Sequence, residues 1–253
     1  MKKIIGALIC GALFAAEIAL LKTYDVAAIG PSGTEIGFSH INQRVHELTG
    51  VNMVWYKVTD LIGYGAIGIC LIFAFIGLVQ LIRRKSLFKV DKEILALGGL
   101  FAVTIGCYVL FEKVIINYRP IIMPGETAPE ASFPSSHTVL IIVVLIAVMM
   151  IIDNYASDLL TGLIRALCVI VAAAAVAGRL YCGVHWLTDI IGGILLSAAL
   201  LFIFAGIITA GDEAAVSAGG ADFSVSIDKK AAAPKAADKK TGGKSTAGYT
   251  PKH

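Results

Sequence analysis

Gly178-Arg-Leu-Tyr-Cys-Gly-Val-His185-Trp-Leu-Thr-Asp189 sets an arginine, a histidine and an aspartate between two long apolar runs. Ionisable groups at a membrane boundary are costly to keep there, so they mark function. His185 and Asp189 are four positions apart, the spacing that brings two side chains onto one face of a helix. A carboxylate so placed accepts from one imidazole nitrogen and leaves the other free to attack. Arg179 adds a permanent positive charge, so the expected guest is an anion, a phosphate above all.

The flanking runs decide the fold class. Of 253 residues, 57% are hydrophobic and only 15% charged, too apolar for a soluble domain and suited to a polytopic membrane protein. Six apolar runs, 4–21, 61–82, 94–116, 134–152, 159–178 and 186–209, each come near the ~20 residues that cross ~30 Å of hydrocarbon. The expected fold is all-α, a six-transmembrane-helix bundle forming one domain over 1–209. Met1-Lys-Lys ahead of the first run reads as a signal peptide or a retained anchor. Its length, and the lack of a close small-x-small site, favour a retained first span. Glu17 inside it is expected near the outer interface, in water.

Residues 23–59 are mixed in character. Ile41, Val45 and Leu48 recur at helical spacing, Gly50 is a stop, and Trp55 with Tyr56 marks a membrane interface. An interfacial outer segment is expected here, with His40 and His46 as ordinary surface histidines. Arg83, Arg84, Lys85, Lys89 and Lys92 read as a cytoplasmic loop, so both termini are cytoplasmic and 23–59, 117–133 and 179–185 lie outside. From 210 the composition turns to Gly, Ala, Ser, Lys and Pro, and a disordered cytoplasmic tail is expected over 210–253. Five scattered cysteines offer no disulfide framework and no metal site. No basic patch interleaved with aromatics points to nucleic acid, and nothing marks an oligomeric state.

With that topology two further clusters reach the outer face. Lys113 and Arg119-Pro120 close the third run, and Pro134-Ser135-Ser136-His137 opens the fourth. The chemistry that fits is phosphoryl transfer through histidine. His185 attacks phosphorus, and Asp189 holds its tautomer. His137 protonates the leaving group and then deprotonates water. Lys113, Arg119 and Arg179 neutralise the phosphoryl oxygens. Ser135 and Ser136 present backbone N–H groups at a helix start. No metal or other cofactor is called for. Singly, each of these residues has an ordinary reading as a cap, an interface residue or a snorkelling anchor; the conjunction on one face carries the assignment.

These residues resemble the phosphatidic acid phosphatase type 2 superfamily, whose pattern is Lys-x6-Arg-Pro, Pro-Ser-Gly-His and Ser-Arg-x5-His-x3-Asp. The resemblance covers about 60–209. Here the second motif has Ser136 for glycine, and the third has Gly178 for its leading serine with all spacings kept. The first departs more: Lys113 precedes Arg119 by one residue too few, and Glu112 stands at the lysine position. One residue on a helix is a rotation of about 100°. The resemblance implies a membrane fold, dephosphorylation without metal, and a site facing the extracytoplasmic side of the cell membrane. It implies a phosphorylated lipid as substrate: undecaprenyl diphosphate is favoured, with phosphatidylglycerol phosphate and phosphatidate as alternatives. Transfer to an acceptor other than water would use the same residues. A lipid transporter or binding protein that only holds phosphate is the reading from another class; it has no need of an oriented nucleophile.

Overall fold

The computed structural model describes residues 1–231, with side chains described through Ala210. Its helices are α1 (Lys2–Thr23), α2 (Ser39–Thr49), α3 (Met53–Arg84), α4 (Lys92–Lys113), α5 (Ser136–Ile151), α6 (Asp158–Tyr181) and α7 (Leu187–Ala231). Six stretches are long and apolar enough to cross a membrane: α1, α3, α4, α6, Ser136–Asn154 and Leu187–Ala210. The all-helical six-span architecture expected from the sequence is therefore present. α3 begins earlier than expected because Asn52 caps it. The Asn52 side chain accepts from the backbone N–H of Val54 at 3.0 Å and of Trp55 at 3.2 Å, so Trp55 and Tyr56 lie in the first turn.

α5 is the hub. Valine, isoleucine and leucine cover all its sides, and a helix apolar all round must be surrounded. It packs against α3, α4 and α6, while Val143, Ala147 and Val148 share a buried cluster with Leu196, Leu200 and Phe204 of α7. The spans alternate in direction. Lys3 Nζ donates to Thr209 Oγ1 at 2.6 Å, and Arg84 and Arg165 pair with Asp91 and Asp153, all at one end. At the other end Lys22 Nζ donates to the Ile116 carbonyl at 2.7 Å.

α2 has the expected extent and stops at Gly50, but it is turned about. Ile41 and Leu48 are exposed, and the polar Ser39 and Asn42 are buried. His46 is not an ordinary surface histidine either: its ring lies 5.5 Å from that of Trp186. Glu17 is also inside, 9% exposed, beside Phe133 and Gly192, and not in water at the interface. Its position follows from the aromatic contact of Phe14 with Phe133, which turns this face of α1 inward.

Met1–Ala210 forms one compact unit and Gly211–His253 a second. The expected disordered tail over 210–253 falls partly on α7, whose backbone is helical through Ala231. The stretch 211–231 holds several alanines and no proline, so nothing in it forbids a helix. Residues 232–253 lie outside the described residues.

Candidate active site

At the Lys22 end of the bundle, five elements converge. The turn between α6 and α7 depends on Gly183, at φ +67°, where a Cβ would run into the Gly50 carbonyl. Cys182 accepts from Asn52 N–H at 3.2 Å, which seats this turn against the start of α3. His185 sits in the turn, 3% exposed, and Asp189 follows on α7 with no exposure. Asp189 accepts from the Trp186 N–H at 2.9 Å and the Asn117 side-chain amide at 3.4 Å. His185 Nδ1 stands 3.6 Å from Asp189 Oδ2, in ion-pair range but beyond a hydrogen bond, and the Ser132 backbone also bears on the ring. Burial and then the Arg119 and Arg179 guanidinium groups push the His185 pKa well below its ordinary value. The ring is therefore neutral, the form in which a nitrogen can attack.

Arg179, at the end of α6, is fully buried. Its NH1 donates to Thr59 Oγ1 at 3.1 Å and to Asp60 Oδ1 at 3.3 Å; its NH2 donates to His137 Nδ1 at 2.7 Å. The Tyr56 ring lies 5.2 Å below the guanidinium carbon. His137 Nε2 in turn lies 3.0 Å from Asp60 Oδ1. An arginine can only donate, so Nδ1 accepts and Nε2 carries the proton. Room for this ring is made by Gly63 on α3, where a Cβ would stand 3.0 Å from Cδ2.

Arg119 belongs to the connection between α4 and α5. Its backbone N–H donates to the Glu130 carbonyl at 3.0 Å, and Ser132 N–H donates to the Asn117 carbonyl at 3.0 Å, closing the connection like a hairpin. Its Nε is 3.1 Å from Glu130 Oε2, while Nε and NH1 have no hydrogen-bond partner. Trp186 Nε1 donates to the Tyr118 carbonyl at 2.7 Å and ties this connection to the α6–α7 turn.

The structure thus gathers Arg119, His137, Arg179, His185 and Asp189, and Ser136 lines the same cavity as Arg119, His137 and His185. Two expected phosphate contacts stand apart. Lys113, the last residue of α4, is exposed and off the cavity wall, which carries Glu112 instead. The one-residue shift rotates the lysine away, and no bulge corrects it. Ser135 is buried behind the wall: its N–H donates to the Asp189 carbonyl at 3.0 Å, and its hydroxyl accepts from Thr138 at 3.0 Å. It fastens α5 to α7. Asp60, Thr59, Asn117 and Asn42 were missed by sequence reasoning. A charge inside the second apolar run, Asp60, was the available signal. Among the described residues no group of three or more His, Cys, Asp or Glu side chains is arranged to hold a metal ion.

The cavity, of about 640 Å³, runs from Asp60, Arg119, His137 and His185 down an apolar seam between α3 and α4. A second cavity of about 220 Å³ shares Cys70 and Phe101 with it and continues along the seam to Leu81 and Leu87.

A basic cluster that opens sideways into an apolar seam between spans is an arrangement suited to a phosphorylated lipid. Residues 93–211 match the family model described as the PAP2 superfamily. The chain is similar in structure to a transmembrane PAP2-type phosphatidylglycerolphosphate phosphatase from Bacillus subtilis, with a TM-score of 0.58 at 17% identity over 79% of this chain and 94% of that one. No curated protein sequence matches this chain significantly.

Proposed function

We propose that the chain hydrolyses a lipid (di)phosphate by a phosphohistidine mechanism without a metal ion, at the extracytoplasmic face of the cell membrane, with both termini cytoplasmic. His185 Nε2 is the nucleophile: the ring is neutral and buried, with Asp189 beside its Nδ1. Asp189 orients it, Arg119 and Arg179 receive the phosphoryl oxygens, and His137 handles the leaving-group and water protons. The basic loop of Arg83, Arg84, Lys85, Lys89 and Lys92, at the end opposite the site, supports this orientation.

The observation that favours a long-chain substrate is the seam. From Asp60 to Leu81 on α3 it follows a helix at ~1.5 Å per residue, hence roughly 30 Å, the whole hydrocarbon thickness. Acyl chains held in the outer leaflet reach only about half that depth. A polyprenyl chain fills it, so undecaprenyl diphosphate is the favoured substrate, ahead of phosphatidylglycerol phosphate and phosphatidate.

The test is phosphate release by purified protein in detergent with EDTA, wild type beside His185→Ala, on these three lipids. Release that survives EDTA, disappears in the variant and is fastest with undecaprenyl diphosphate is the expected result. Fastest release from phosphatidylglycerol phosphate would transfer the assignment to that lipid. Phosphate bound but never released would make this a binding or transport protein.

A further inference from the structure

Asp60 has no part in the chemistry described so far, yet it holds the most consequential contact in the site. It lies on α3 about two turns inside the membrane-spanning helix, where an ionisable side chain is expensive. Its Oδ1 bridges two functional groups, His137 Nε2 at 3.0 Å and Arg179 NH1 at 3.3 Å. Because Arg179 donates to Nδ1, the Nε2 proton of His137 is committed to Asp60. That leaves Nδ1 as the working nitrogen, and Nδ1 already faces the guanidinium that receives phosphate.

Building on the phosphohistidine reading, we propose that Asp60 is the positioning residue of the acid–base step. With His137 it forms a second aspartate–histidine pair, opposite Asp189 and His185. Incoming phosphate draws Arg179 NH2 from Nδ1, and Nδ1 takes up a proton from solvent to give an imidazolium, whose charge Asp60 balances. The His185 Nε2–phosphorus bond then forms as the phosphorus–oxygen bond breaks, and Nδ1–H passes its proton to the departing oxygen. His137 returns to the neutral form with Nε2–H still held by Asp60. In the second half, Nδ1 takes a proton from water while the water oxygen bonds to phosphorus and the nitrogen–phosphorus bond breaks. Without Asp60 the protonated ring sits beside Arg119 and Arg179, with Glu112 as the remaining carboxylate among the described residues that line the cavity. The alternative role is that of a plain counter-ion to buried Arg179.

Leaving-group dependence separates the two roles. Phosphatidate must expel an alkoxide and needs a proton; p-nitrophenyl phosphate expels a phenolate and does not. Asp60→Asn is expected to lose about 100-fold in kcat/KM on phosphatidate, the scale of general acid catalysis, and only a few-fold on the aryl ester. The ratio kcat/KM reports the leaving-group half and not the shared hydrolysis of the phosphohistidine. His137→Asn shows the same selective loss, and the double variant loses no more than either alone. Asp60→Glu, which keeps the charge but moves it by one methylene, falls between. If Asp60→Asn slows both substrates by one factor while His137→Asn is selective, Asp60 is only a counter-ion and the proposal fails. If His137→Asn is itself unselective and His185→Ala stays active, the phosphohistidine reading fails instead. Should the asparagine variant not fold, as judged by thermal unfolding, Asp60→Glu decides: a loss equal on both substrates overturns the proposal, and a selective one supports it.

Discussion

Gly63→Ala should disable turnover while leaving the fold in place. The added methyl would stand 3.0 Å from His137 Cδ2 and 3.4 Å from Nε2. Unstrained carbon contacts lie at about 3.5–4.0 Å, so the ring must retreat by roughly 0.5–1 Å. Since a misplacement of about 1 Å at a reacting group can cost about 100-fold, kcat is expected to fall by roughly 10- to 100-fold. Stability moves less. Alanine gains about 1 kcal/mol over glycine inside a helix. Overpacking costs about 1–3 kcal/mol, so the two partly cancel. A net loss of about 1 kcal/mol lowers the Tm by about 2–4 °C in a chain of this size. The assay pairs phosphate release at saturating lipid with thermal unfolding in the same detergent. Unchanged kcat together with an unchanged or raised Tm would show that the His137 ring position does not govern the reaction, and the geometric argument would fall.

The remaining predictions concern charge and docking. Lys113→Ala should change kcat/KM by no more than about twofold, as for an ordinary surface position; a large loss would return the lysine to the phosphate site. Glu112→Lys places a cation on the cavity wall and should lower KM for a lipid phosphate by about tenfold, an attraction of roughly 1–2 kcal/mol at a partly solvated distance. Because burial and two arginines hold His185 below its ordinary 6.5, its neutral form persists into acid; the acidic limb of kcat/KM should lie below pH 6.5, and a limb at or above that value would refute the burial argument. Asn42→Leu breaks donations to the Gly37 carbonyl at 2.9 Å and Thr188 Oγ1 at 3.0 Å. It should cost about 1–3 kcal/mol, read as a lower Tm with reduced activity.

The reach of the sequence depended on what kind of physics set each feature. Hydrocarbon thickness imposes span length, so all six spans were legible to within a few residues, the capped start of α3 apart. Span topology gathers His185, Asp189, Arg179 and His137 at one membrane face, whereas the helical facing expected of His185 and Asp189 does not arise, since His185 lies in the turn before α7. Rotational register is set by packing, and there the reading stopped. Whether Lys113 or Glu112 meets the cavity is a matter of about 100° on α4. α2 was read by its apolar stripe, yet the stripe faces outward because Asn42 and His46 have polar and aromatic partners on the α6–α7 turn. Asp60 was passed over because a single carboxylate near a helix start looks like one wetted by the interface. Its partners lie 77 and 119 positions further along the chain.

The docking of α2 bears on how the molecule is made. Asn42 accepts from the Thr188 N–H at 3.3 Å and donates to its hydroxyl across 146 positions of chain. Synthesis and insertion proceed from the N-terminus, at about 5–20 residues per second, so α2 is released well before the segment it grips exists. During that interval of roughly ten seconds or more it has only the bilayer surface to lie on, and its exposed Ile41 and Leu48 suit that waiting position. The pocket is therefore closed last, after the sixth span has entered, and a nascent chain halted at five spans carries four of its walls but no nucleophile.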